Sequence, residues 1–215
     1  MKNESVGGGE RLWYSSTSMS TRLAQIISHL FDPIPTTLVI GLIGIFATPM
    51  SPTERLFWLV LVGVMGVLVG LMLWWFIRQG YVIDAKLTHG QDFHRDRLGV
   101  LWIAVGLLVI ADLIAWQMGQ AEPLWSMLVS LTVLLTVATL ITQFYKISLH
   151  MIGTASLVTI LILQFHSAAL LTLLLLPLVA WSRRVLHRHT PAQLLLGTGL
   201  AVAIVTTTFA LTGQL

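Results

Sequence analysis

The chain has 215 residues, 56% of them hydrophobic and only 10% charged, with a mean hydropathy of +0.86. A soluble domain carries about 25% charged residues, so this composition excludes one and indicates an all-α, polytopic membrane helix bundle. The net charge of +3 comes without a long basic stripe, which speaks against nucleic acid, and the absence of cysteine excludes disulfides and thiolate metal sites.

Residues 1–19 are polar and rich in Gly and Ser, a loose tail without the apolar core of a cleaved signal peptide. Over 20–32 the pattern changes. Leu23, Ile26, Ile27, Leu30 and Phe31 recur every three or four residues, with Arg22, Gln25 and Ser28 opposite, which predicts an amphipathic helix lying in the membrane interface. Asp32 and Pro33 break it, and 33–215 form the transmembrane domain, with Pro35 at the start of the first span.

Apolar runs follow at Ile34–Thr48, Leu56–Ile77, Leu98–Gln117 (interrupted by Asp112) and Leu124–Phe144. From Ile147 to Ser182 the chain is uncharged; one helix of that length would measure roughly 50 Å against a hydrocarbon core of about 30 Å. It must fold back, and Gln164-Phe165-His166-Ser167 is the polar break. Two short spans result, Leu149–Phe165 and Ala168–Trp181, the second bent by Pro177. Ala192–Leu211 completes about seven spans. Trp74, Trp75, Trp102, Trp116, Trp125 and Trp181 fall near span ends as interfacial residues.

Seven spans put the N-terminus and the loops 78–97, 145–150 and 182–191 on one face. That face then holds all of the 12 lysines and arginines except Arg55. The positive-inside bias makes it cytoplasmic, in the cell inner membrane, with the C-terminus outside. The densest cluster is Trp181–Gln193, where Arg183, Arg184, His187, Arg188 and His189 crowd a membrane edge. Such a cluster suits either an ordinary cytoplasmic loop or an anion site.

Within that cluster Ser182-Arg183, five residues, His189, three residues and Gln193 resembles the third signature of the type 2 phosphatidic acid phosphatase superfamily, which ends in aspartate. Ile147-Ser148-Leu149-His150 resembles its second signature, Pro-Ser-Gly-His, in the serine and histidine. Arg95 or Arg97 stands where the first signature has its arginine, with Thr88 or Gly90 in place of its lysine and no proline following. The resemblance covers roughly Phe31 to Gly213.

It implies a lipid phosphatase working on a lipid or prenyl phosphate or diphosphate at the cytoplasmic face. His189 would be the nucleophile, His150 the general acid, and Gln193 the residue that orients the nucleophile. Ser148, Arg183 and Arg95 or Arg97 would hold the phosphoryl group, as bidentate guanidinium groups do for phosphate oxygens. Lys146 is added from its charge and place, outside any family correspondence. Gln193 accepts a hydrogen bond without bringing charge, and Leu149 crowds a position where the family has glycine. A catalytically silent member of the fold, binding lipid or serving as a subunit among other membrane proteins, is therefore the second expectation.

No cofactor and no metal is expected. His29 and His166 are not paired as haem or chlorin ligands would be, and His89, His94, Asp84, Asp92 and Asp96 read as a solvated loop. Asp112 lies about one turn from the outer end of its span, where snorkelling or a helix–helix hydrogen bond accounts for it.

Overall fold

The computed structural model describes residues 19–79 and 98–214. Eight α-helices account for nearly all of them: α1 (Met19–Leu30), α2 (Pro33–Ala47), α3 (Pro52–Arg78), α4 (Leu98–Gln117), α5 (Leu124–Thr142), α6 (Leu149–Phe165), α7 (Leu175–Val185) and α8 (Pro191–Leu211). A 3-10 segment, His166–Leu174, joins α6 to α7. Five of the helical stretches are long and apolar enough to cross a membrane, or six if α1 and α2, bent by 45° at their junction, act as one span. The chain is a multi-pass helical membrane protein.

Local sequence sets the helix ends. Asp32 caps α2, its Oδ1 accepting from Ile34 N at 3.3 Å, with Pro33 in the first turn where no amide donor is needed. Ser51 and Glu54 bond reciprocally at the head of α3 (2.8 and 3.2 Å), so this helix starts at Pro52, ahead of the apolar run that begins at Leu56. At the end of α4 the amides of Gly119 and Gln120 return to Trp116 and Ala115 carbonyls, and Gly119, at φ 95°, takes the left-handed turn this closure requires.

The core is made where α2, α5, α6 and α8 meet, around Ile40, Met127, Leu131, Leu157, Ile160, Val205 and Phe209. Buried hydroxyls in these helices return to the preceding turn, as Thr139 does to Leu135 O (2.7 Å) and Ser156 to Ile152 O (2.9 Å), so few are left to lipid. By contrast α3 lies at the margin: only 6% of its apolar window is buried, against 50% for α5.

The stretch Leu149–Val185 is continuous enough to pass for one 37-residue span, yet it doubles back. Arg183 Nη1, near its end, lies 3.5 Å from His150 Nε2, near its beginning. A straight helix would hold these residues roughly 50 Å apart. The reversal falls at His166, whose φ of 50° and ψ of −129° stop α6. Pro177 was expected to bend a helix here. It lies in the first turn of α7, just after the change from 3-10 to α winding, where the missing N–H costs little.

Contacts sort the helix termini into two ends. One gathers the α1–α2 junction, the heads of α6 and α8 and the tail of α7, joined through Asp32–His150 and Arg183–His150 contacts. The other gathers the end of α2, where Thr48 Oγ1 accepts from Leu124 N (3.0 Å), and the start of α5 beside the end of α8, where Ser126 and Thr212 hydroxyls lie 2.6 Å apart. Arg22, Lys146, Arg183, Arg184 and Arg188 belong to the first end. Arg55 belongs to the second, 5.8 Å from the Phe46 ring.

Candidate functional site

At the first end α6 starts against the opening turns of α8. Gly197 makes this approach possible: a Cβ there would stand 3.0 Å from Ser148 O and 3.4 Å from Met151 Cβ. Below it Met151, Val179 and Leu194 pack together with Ile27 and Phe31, closing the apolar floor under the polar groups.

His150 sits one residue into α6, just past its cap, with 14% of its side chain exposed. Among the described residues, Ser28 Oγ at 3.3 Å, Arg183 Nη1 at 3.5 Å and Asp32 Oδ2 at 3.7 Å face its Nε2. Arg183 Nη1 donates to Ser28 Oγ at 2.5 Å. Ser182, next to it, is buried and donates to Ala24 O at 2.7 Å, so α7 is fastened to α1 from two successive residues.

His189 stands in the turn between α7 and α8. That turn begins where α7 closes with Arg188 N bonded to Arg183 O (3.1 Å) and His187 N to Arg184 O (3.0 Å), His187 taking the left-handed position at φ 51°. The turn ends in a capping box in which Thr190 Oγ1 accepts from Gln193 N (3.3 Å) and Gln193 Oε1 accepts from Thr190 N (3.1 Å). Gln193 Oε1 also lies 3.1 Å from His189 Nδ1. An amide oxygen can only accept, so this contact calls for the proton on His189 Nδ1 and makes Nε2 the acceptor nitrogen of the neutral ring. Arg184 Nη1 donates to His189 O at 3.3 Å and steadies the same turn.

The structure therefore brings His150, Arg183, His189 and Gln193 to one end of the bundle. Ser148 is there too, but it is buried and its hydroxyl caps α6 by accepting from Met151 N at 3.4 Å. Lys146 is half-buried, two residues ahead of that cap. Arg95 and Arg97, like Lys86, His89, His94 and the acids of the 80–97 loop, lie outside the described residues.

Two residues of the cluster were missed in the sequence. Asp32 reads there as a helix breaker and Ser28 as part of a polar face. The signal that marks Asp32 is its scarcity: among the described residues it is the one acid at this end, since Glu54, Asp112 and Glu122 lie toward the other. His29 and His166 are exposed, and no group of three His, Asp or Glu side chains among the described residues could hold a metal. Asp112 of α4 lies beside Thr132 of α5, at the helix–helix contact that was one of the two accounts expected for it.

Compared with protein-family models, with characterised proteins and with solved structures, the chain finds no match.

Proposed function

We propose that this protein is an integral-membrane hydrolase of a lipid or prenyl phosphate, acting through a phosphohistidine on His189. The observation that carries the reading is the Gln193 Oε1–His189 Nδ1 contact, which orients the ring so that Nε2 is the nitrogen with nucleophile character. The geometry supports a two-step course. The Nε2 lone pair attacks phosphorus; as the ester P–O bond breaks, its electron pair goes to the leaving oxygen, which takes a proton from His150 Nε2. Water then attacks the phosphohistidine and gives its proton to His150, the P–N bond breaks, and phosphate leaves. Arg183 would neutralise charge on the phosphoryl oxygens, assisted by Lys146, by Arg95 or Arg97, and by Ser148 if its hydroxyl is released from the α6 cap.

In this reading α1 lies in the interface and seven spans follow, α6 and the 166–185 leg counting as two. The Arg- and Lys-rich end faces the cytoplasm across the cell inner membrane. The substrate's tails stay in lipid while its headgroup reaches the loop. The Gln193 amide carries no charge and is already held by the helix cap, and this favours a second reading, a silent lipid-binding subunit among other membrane proteins.

The test is phosphate release from a panel of lipid phosphates and prenyl diphosphates by detergent-purified protein, beside His189→Ala. Release by the wild type and none by the variant is the expected result. Silence from both, with both folded, rejects the hydrolase reading and leaves the lipid-binding subunit.

A further inference from the structure

At the end of the bundle away from His189, Glu54 and Arg55 are neighbours of opposite charge in the first turn of α3. Among the described residues they form no ion pair, with each other or with any other group. Glu54 Oε2 accepts from Ser51 N at 2.8 Å, which holds the carboxylate over the α2–α3 turn. Arg55 is directed at the Phe46 ring, 5.8 Å from its centroid, and its Nε is buried without a hydrogen-bond partner. Two opposite charges are thus held apart at a membrane edge.

A cavity of about 50 Å³ opens beside Glu54. Pro49 and Met50 of the α2–α3 turn, Trp58 of α3, and Met118 and Ala121 of the α4–α5 connection help to wall it, and Glu54 is the one charged group that lines it. Glu54, Pro49 and Ala121 are exposed and mark the open side, while Trp58 is buried. At about 10–15 Å³ for each water-sized group, there is room for roughly three to five of them. An aminoethyl end, two carbons and a nitrogen, fits that room; a choline end, with three further methyl groups, exceeds it. An ammonium inside would meet the Glu54 carboxylate and the Trp58 indole, both of which favour a cation. Beyond Arg55, Phe46, Leu42 and Val39 form one exposed stripe of α2 leading toward the middle of the bundle. A soluble zwitterion has no use for such a stripe, whereas an acyl chain does.

We propose that the head of α3 binds a phospholipid with a primary-ammonium headgroup, a phosphatidylethanolamine. The ammonium enters the cavity against Glu54, the phosphodiester pairs with Arg55, and a chain lies along Phe46, Leu42 and Val39. On the orientation proposed above, this lipid belongs to the outer leaflet. The site does not rest on the hydrolase reading.

The experiment is native mass spectrometry of the full-length protein released from detergent, with phosphatidylethanolamine, phosphatidylcholine or phosphatidylglycerol of identical chains added in turn. The wild type is expected to bind the first about 10-fold more tightly than either of the others, the margin of one charge-assisted contact. Glu54→Gln preserves the capping box, and Arg55→Gln preserves a good helix former. Each is expected to abolish the preference, with thermal midpoints in detergent showing that both variants are folded. Equal binding of the three lipids by the wild type overturns the proposal, and so does a preference that survives in either folded variant. Displacement of the lipid by chain-free phosphoethanolamine at the same concentration also overturns it, because the ligand would then be a soluble zwitterion.

Discussion

The Nδ1 proton of His189 is held by an amide where a carboxylate would also stabilise the charged ring. In serine-protease triads the same loss, aspartate to its amide, costs about 10⁴ in rate. Gln193→Glu restores the charge without changing length, and glutamate serves the capping box as well as glutamine does. On the hydrolase reading, a carboxylate beside Nδ1 is expected to raise the His189 titration midpoint and to raise phosphate release by about 10-fold or more. Titration and turnover are separate readouts: a raised midpoint with no gain in release would mean that His189 is not the nucleophile. The glutamine itself was legible in the sequence, with three residues between it and His189 and with the resemblance placing an aspartate there. Its double engagement was not, because a capping box and a histidine partner claim the same oxygen only once the turn has folded.

Among the elements, α6 and α8 set the distance between the two histidines. Their crossing is fixed by Gly197, whose missing side chain admits the Ser148 carbonyl. Gly197→Val is expected to cost about 1–3 kcal/mol by overpacking, read as a lower thermal midpoint in detergent, and to weaken phosphate release with it. Gly199→Val is the control, since nothing lies within 4 Å of the position its Cβ would take. Equal effects of the two would place the Gly197 crossing outside the structure's tight contacts. Helix existence could be read from apolar runs, because a span must be long and unbroken. Helix form could not: the 166–174 segment has the composition of any leucine-rich span, and its 3-10 winding depends on the reversal at His166 and on what α7 must meet.

For the whole molecule the division of charge is the governing feature. Lys146, Arg183, Arg184 and Arg188 share an end with Arg22, and Arg55 is at the other. Single cysteines placed in this cysteine-free chain make the orientation measurable. Cysteine at Arg188 is expected to resist, and cysteine at Gln214 to accept, a membrane-impermeant thiol reagent applied to intact cells; the reverse pattern inverts the proposed topology. The hairpin within 147–182 was legible because a membrane has a thickness and 36 uncharged residues exceed it. The place of Asp32 was not legible, since nothing local tells a capping acid from one that also faces a histidine more than a hundred residues away.

The 3-10 segment has a geometric consequence of its own. Nine residues wound this way rise about 2.0 Å each where an α-helix rises 1.5 Å, so the return leg gains roughly 4–5 Å of reach. They also turn about 120° per residue in place of 100°, a difference of roughly half a revolution over nine residues. Pitch and phase of α7 are therefore set at the far end of the bundle. Were 166–174 to rewind as an α-helix, Val179 and Ser182 would rotate out toward lipid and Arg183 would stop short of His150. A change of winding among uncharged leucines would disassemble the charged cluster without touching any of its members.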